Sequence, residues 1–190
     1  MLESLLQLGI PMHLLICYAS LEGQTAKIAQ TIAEQVRRGH EWDALLCSVE
    51  EAGDLNAADF DAILLAAPIH IGRYPGPFVD FVHRHLAGLN SRPSAMISVS
   101  LAIASEHADE RTEAEAFVEQ LSKLTGWQPS AVLHAAGALR YTRYDFFKRW
   151  MMRRIAAKEG ASTDTSQDQE LTDWDDVEHF VAGFLDSVTS

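Results

Sequence analysis

Short apolar runs that show no alternation, each followed by a segment with helical spacing, constrain this chain more than any other feature. Residues 13–19 (HLLICYA) and 62–67 (AILLAA) are continuous apolar stretches too short for a buried helix. A strand with one wet face would alternate, so these runs predict strands covered on both faces. Further strands are expected at 43–49, 94–100 and 131–136. Between them, residues 25–38 read as a helix with Ile28, Ala29, Ile32, Ala33 and Val36 inward, ending at Gly39. Residues 78–89 form a second helix. Residues 110–125 form a third, with Ala114, Phe117, Val118, Leu121 and Leu124 inward. The stretch 50–59 has room for a short helix only, and 101–109 reads as a loop. After the fifth strand come an aromatic and basic connection (137–144), an amphipathic helix (145–158) and a polar loop (159–170). A last helix starts at Thr172 or Asp173, either of which can cap it, and runs to about Leu185. Strands alternating with helices imply a doubly wound α/β domain: a parallel sheet with helices on both faces.

Composition narrows the functional classes. At 190 residues and 47% hydrophobic content, the chain suits one domain with a real core. A net charge of -12 and a pI near 5.0 exclude general nucleic-acid binding, which needs an excess of cations. The charge is uneven, because 140–158 carries seven basic side chains and one acid, Asp145. Cys17 and Cys47 both lie in apolar runs, as expected of buried free thiols in a reducing cytoplasm. Residues 1–11 have no basic leader and are expected as an extension outside the fold, which would then occupy 12–187. No run approaches the roughly 18 apolar residues of a spanning helix, so any membrane contact is expected to be peripheral. The sequence has no G-x-S-x-G elbow for a hydrolase and no Cys/His spacing for a metal.

The segment Ser20-Leu21-Glu22-Gly23-Gln24-Thr25 joins the first strand to the first helix. In such an arrangement a phosphate can sit on unpaired backbone N–H groups at the helix start. Gly23 allows a sharp turn and a close approach, and the hydroxyls of Ser20 and Thr25 can donate. A dinucleotide fingerprint and a nucleoside-triphosphate loop are both absent, and no lysine lies in the segment. A plain strand-to-helix turn is the alternative. The segment resembles the first loop of the flavodoxin family, S/T-x-T-G-x-T, which holds the phosphate of flavin mononucleotide (FMN). Ser20, Gly23 and Thr25 match that pattern; Glu22 replaces the central Thr and is expected to face solvent. The resemblance implies FMN as cofactor and a five-stranded sheet of order 2-1-3-4-5.

In a doubly wound sheet the ligand lies beyond the carboxyl ends of the strands, so three loops should converge. The second carries Pro68, Ile69, His70, Ile71, Gly72, Arg73 and Tyr74. It offers Gly72 for close approach, Tyr74 as a stacking ring, and His70 or Arg73 as a cation favouring the anionic reduced flavin. Solvated loop charges are the alternative for these last two. The third loop begins Ser100, Leu101, Ala102 and lacks an aromatic residue, which leaves one flavin face open.

A closer resemblance rests on the run from Ala136 to Tyr144 (AGALRYTRY), on Thr172-Asp173-Trp174, and on the phrase LNSRPSA at 89–95. Together with the Glu-Gly-Gln-Thr loop, these look like the bacterial quinone-dependent protoporphyrinogen oxidases, flavodoxin-like FMN enzymes with an insertion, here about 138–171, before the last helix. The resemblance implies oxidation of protoporphyrinogen IX to protoporphyrin IX, with electrons passing through FMN to a membrane quinone. It makes Arg140 and Arg143 candidates for the substrate carboxylates, with Tyr141, Tyr144 and Trp150 as apolar faces. A core-packed helix with a solvated basic face is the alternative reading of 145–158. The family's basic residues after the fourth strand are replaced here by Ala104, Ser105, Glu106 and His107. An NAD(P)H-fed quinone or small-molecule reductase and an electron carrier docking through its acidic surface are the competing functions.

Overall fold

The protein is described here by a computed structural model covering residues 11–39, 41–139 and 169–190. In β1 (Met12–Tyr18) four successive residues, Leu14, Leu15, Ile16 and Cys17, are fully buried, so both faces of the strand are covered as the unbroken apolar run predicts. β3 (Ala62–Pro68) and β4 (Ser94–Ser100) are equally enclosed. With β2 (Trp42–Ser48) and β5 (Ala131–Ala136) they form one parallel sheet of order β2-β1-β3-β4-β5.

Two core layers sandwich the sheet. On one face lie α1 (Gln24–Arg38) and α4 (Trp174–Thr189), which pack Ile28, Ile32, Val36, Val181 and Phe184 over Leu14, Ile16, Leu64 and Ile97. On the other lie α2 (Gly76–Ser91) and α3 (Ala108–Thr125), which pack Phe78, Phe81, Val118 and Leu121 over Leu15, Cys17, Ile63, Leu65 and Met96. Every inward position expected of α1 is buried, and Gly39 closes the helix. The carboxylate of Asp173, not Thr172, caps α4, accepting the amides of Asp175 and Asp176 at 3.1 Å each; the helix then runs on to Thr189. In α3, Ala114, Val118 and Leu121 point inward, but Leu124 is 65% exposed, against expectation. The 3.6-residue period places Thr125 on the buried face instead, where its hydroxyl donates to the Leu121 carbonyl at 2.8 Å. Two 3-10 turns, Ala57–Asp59 and Leu101–Ala104, fill connections read as a short helix and a loop.

Beyond β5, β6 (Ala138–Leu139) pairs antiparallel with β7 (Gln169–Glu170). The helix expected at 145–158 and nearly all of the polar loop at 159–170 lie outside the described residues, as do residues 1–10 of the expected extension. Among the described residues no helix is long and apolar enough to cross a membrane.

Trp127, fully buried beneath the layer of α2 and α3, donates its indole N–H to Ser94 Oγ at 2.9 Å, and Ser94 donates on to the Leu89 carbonyl. Trp127→Ala should therefore lower the unfolding free energy by about 3–5 kcal/mol. Trp127→Phe keeps the ring and leaves Ser94 its other partner, so it should cost only about 1–2 kcal/mol. The urea midpoints of the two variants check this order.

Candidate functional site

The loops leaving β1, β3, β4 and β5 open onto one cleft at the carboxyl edge of the sheet. Its lining comprises Leu21, Glu22, Gln24 and Thr25 from the first loop and the head of α1, with Pro68, Ile69 and His70 from the end of β3. Val99, Ser100 and Leu101 come from β4, and Gly137 and Ala138 from the exit of β5. Residues expected from three separate sequence segments are thus brought together by parallel strand order.

Ser20 organises the first loop from within. Its Oγ accepts the Gly23 amide at 3.1 Å and the Ala26 amide at 3.3 Å, while Gly23 turns the chain at φ 91°, a left-handed conformation that glycine adopts without strain. The amides of Leu21, Glu22, Gln24 and Thr25 have no acceptor among the described residues. Four N–H donors at a helix start, where the macrodipole is positive, are chemically suited to an anion such as a phosphomonoester. Gln24 is more than a variable position, because its side-chain amide donates to Thr172 Oγ1 at 2.8 Å and Thr172 donates to the Ala136 carbonyl at 2.8 Å.

Glu22 departs from expectation. Its Oε1 is buried with no hydrogen-bond partner among the described residues, and the residue lines the cleft instead of facing solvent. The Ser20 hydroxyl, not the Glu22 carboxylate, accepts the Gly23 and Ala26 amides of this turn. The donor set fits a phosphate; Glu22 is the one group there that opposes it.

The second loop is a tight hairpin turn. His70 and Arg73 exchange backbone bonds (2.9 and 3.3 Å), with Ile71 at φ 49° and Gly72 at φ 70° between them. Glycine tolerates that angle; Ile71, β-branched and 75% exposed at the tip, holds strain. His70 lines the cleft, whereas Ile71, Gly72 and Arg73 stand outside its lining. Tyr74 is not presented as a stacking ring. It is 7% exposed, tilted against Phe78, and bonded through its hydroxyl to Ser98 Oγ at 2.7 Å. Burial pushes its phenol up to about 12, with the Ser98 bond opposing. The apolar neighbours of α2 draw the ring inward, as an aromatic two residues ahead of a buried helix permits.

In the third loop, Ser100 Oγ accepts the Ala102 amide at 3.2 Å and starts the 3-10 turn, so Ser100 and Leu101 face the cleft while Ala102 stands outside its lining. No Phe, Tyr or Trp side chain lines the cleft among the described residues. Val99, Gly137 and Ala138 are lining residues that sequence reasoning did not assign. A Cβ at Gly137 would lie 3.5 Å from Val99 Cγ1 and 3.7 Å from Leu101 Cδ2, so the glycine keeps this wall thin.

The chain's return is fastened beside the same cleft. The Leu171 amide donates to the Gly137 carbonyl at 3.1 Å, and Lys27 pairs with Glu170 at 2.6 Å while lying 5.2 Å over the Trp174 ring. Arg140, Tyr141, Arg143, Tyr144 and Trp150 lie outside the described residues. The segment that holds them nevertheless starts after Leu139 and ends before Gln169, and those two residues are paired at the cleft rim.

Comparison with known proteins gives a consistent answer. The sequence model of the flavodoxin domain matches residues 15–166. The chain is 31% identical over 170 residues to protoporphyrinogen IX dehydrogenase (quinone) of Escherichia coli strain K12, across 89% of this chain and 92% of that one. It is 32% identical over 174 residues to the protein of the same name from Leishmania major, across 90% of this chain and 73% of that one. In structure it is similar to a short-chain flavodoxin associated with a non-canonical PDU bacterial microcompartment, with a TM-score of 0.54 at 12% identity, covering 93% of this chain and 99% of the other.

Two outcomes are expected of this site. Removing the opposing carboxylate in Glu22→Thr should tighten FMN by about tenfold, about 1.4 kcal/mol, and leave riboflavin, which lacks the phosphate, unchanged; flavin fluorescence titrations read both. For the clasp, partial burial works to raise the Glu170 carboxyl, but hydrogen bonds from Lys27, Gln24 and Trp174 outweigh it and hold the group below its ordinary value. A depressed acid stabilises the fold above its unfolded pKa and loses that contribution as pH falls through the folded one. Lys27→Met should therefore cost up to about 1 kcal/mol at neutral pH, because the pair is partly exposed, and almost nothing in acid below the carboxyl range. Denaturant melts at the two pH values test it.

Proposed function

The chain belongs to the flavodoxin-domain family, and from that premise we propose that it is an FMN-dependent oxidoreductase that converts protoporphyrinogen IX to protoporphyrin IX with a quinone as electron acceptor. One observation carries the reading: four amides without an acceptor among the described residues and the ends of an inserted segment meet at a single cleft. The 31% identity to a protoporphyrinogen IX dehydrogenase (quinone) along most of both chains supports the choice of substrate and acceptor.

The chain's own residues divide the work. The amides of Leu21, Glu22, Gln24 and Thr25 and the hydroxyl of Thr25 would hold the FMN phosphate, with Ser20 keeping the loop in shape. Pro68, Ile69 and His70 on one side and Ser100 and Leu101 on the other would flank the flavin, with Arg73 on the adjoining turn as a neighbouring cation. Bound FMN supplies two-electron chemistry that amino-acid side chains lack. Arg140 and Arg143 would pair with the propionates of the substrate through charge-assisted hydrogen bonds, and Tyr141, Tyr144 and Trp150 would cover its apolar faces. Among the described residues the cleft is lined by no Phe, Tyr or Trp, which suits approach of a flat organic substrate to one face of the flavin. The basic residues of 140–158 also suit contact with an anionic membrane surface, where a quinone would be met. On this reading residues 12–187 act as one domain and about 138–171 as its substrate-binding insertion.

The test is turnover by the FMN-loaded protein with a soluble quinone, followed by porphyrin fluorescence under anaerobic conditions. Fluorescence should grow with enzyme concentration and require both flavin and quinone. Arg140→Ala with Arg143→Ala should lower kcat/KM by about 10–100-fold while leaving flavin affinity intact, as expected from losing one or two charged hydrogen bonds. Porphyrin formation no faster than without enzyme, or flavin bleaching by NADPH alone, would overturn the assignment.

A further inference from the structure

Cys17 and Cys47 are direct register partners on neighbouring parallel strands, β1 and β2. Cys17 belongs to the core layer beneath α2 and α3, and Cys47 packs against that same layer, so both thiols leave the sheet on one face. Adjacent strands lie about 4.8 Å apart, inside the roughly 4.4–6.8 Å window of Cα separations that a disulfide spans. The two thiols are neighbours across this register pair, and both are free. Their surroundings differ. Cys17 is fully buried, whereas Cys47 is half-buried on β2, the strand at the sheet's edge. The hydrogen bond from Cys17 holds the Cys47 thiol below its usual value, against burial and the Glu51 charge. That same bond, then burial, pushes the Cys17 thiol up.

We propose that Cys17 and Cys47 form an oxidisable dithiol that a peroxide closes to an intramolecular disulfide. The Cys47 thiolate attacks one peroxide oxygen; the S–O bond forms, the O–O bond breaks, and the departing hydroxide takes a proton to leave as water. Cys17 then attacks Sγ of the Cys47 sulfenic acid; the S–S bond forms, the S–O bond breaks, and the Cys17 proton leaves with the hydroxyl as a second water. Two thiols are oxidised and one peroxide is reduced to two waters. Only Cys47 has to meet the oxidant, so burial of Cys17 is no obstacle. The chain contains two cysteines, so no third thiol competes.

The experiment treats the full-length, FMN-loaded protein with a small excess of hydrogen peroxide and measures intact mass, free thiols and cross-linked peptides. The expected result is a monomer lighter by two hydrogens, with both thiols lost, residues 17 and 47 in one linked peptide, and full recovery on adding dithiothreitol. Cys17→Ala should stop at the Cys47 sulfenic acid, trapped by dimedone, and Cys47→Ser should leave Cys17 unreactive. Should Cys17→Ala fail to fold, the wild-type cross-link and Cys47→Ser still decide. Two thiols that survive treatment, oxygen added to Cys47 without a cross-link, or a disulfide between two molecules would each overturn the proposal.

Discussion

A parallel sheet buried on both faces leaves its backbone no route to a ligand except at the strand ends. In this protein the N–H and C=O groups of the inner strands β1, β3 and β4 face ladder partners on both sides, and their apolar side chains are engaged in two layers. Polar chemistry is therefore confined to the rim, where helices start with amides that no turn of their own can satisfy. What distinguishes this rim from a bare α/β edge is the turn from Ser20 to Gly23, where Ser20 holds two amides and four others have no acceptor among the described residues.

Much of this was legible in the sequence, and the physical reasons are specific. The absence of alternation in 13–19 and 62–67 can arise only from strands covered on both faces, so sheet type and layer count follow from those residues alone. Strand limits agree to within a residue because Pro68 and the polar residues at 20 and 50 interrupt the apolar runs. Helical faces were less secure. Leu124 is apolar and lies three residues after Leu121, yet Thr125 takes the inward place because a threonine hydroxyl can satisfy itself on the preceding turn. Hydrophobicity alone carries no sign of that exchange.

The site residues divide along a similar line. Ser20, Gly23 and Thr25 were readable because backbone geometry and donor chemistry fix residue type at each position. Tyr74 was not, since an aromatic beside glycines serves equally well as a ligand platform or as core, and only contact with Phe78 and Ser98 decides. Gly137 was legible only as part of a resemblance, and Thr172 only as that or as a helix cap; their roles depend on packing against Val99 and on bonds to Gln24 and Ala136, partners 36 or more residues away in the chain.

The clasp that joins Gln24 to Thr172 and Lys27 to Glu170 spans 148 and 143 residues of sequence. Chain order thus separates the turn at 20–25 and the five strands from the fastening at residues 170 and 172. A chain cut between residues 136 and 170 would keep every strand of the sheet and lose the latch on its rim. Loop closure over such a distance costs entropy that grows only slowly with length, so the latch can form without a prohibitive penalty.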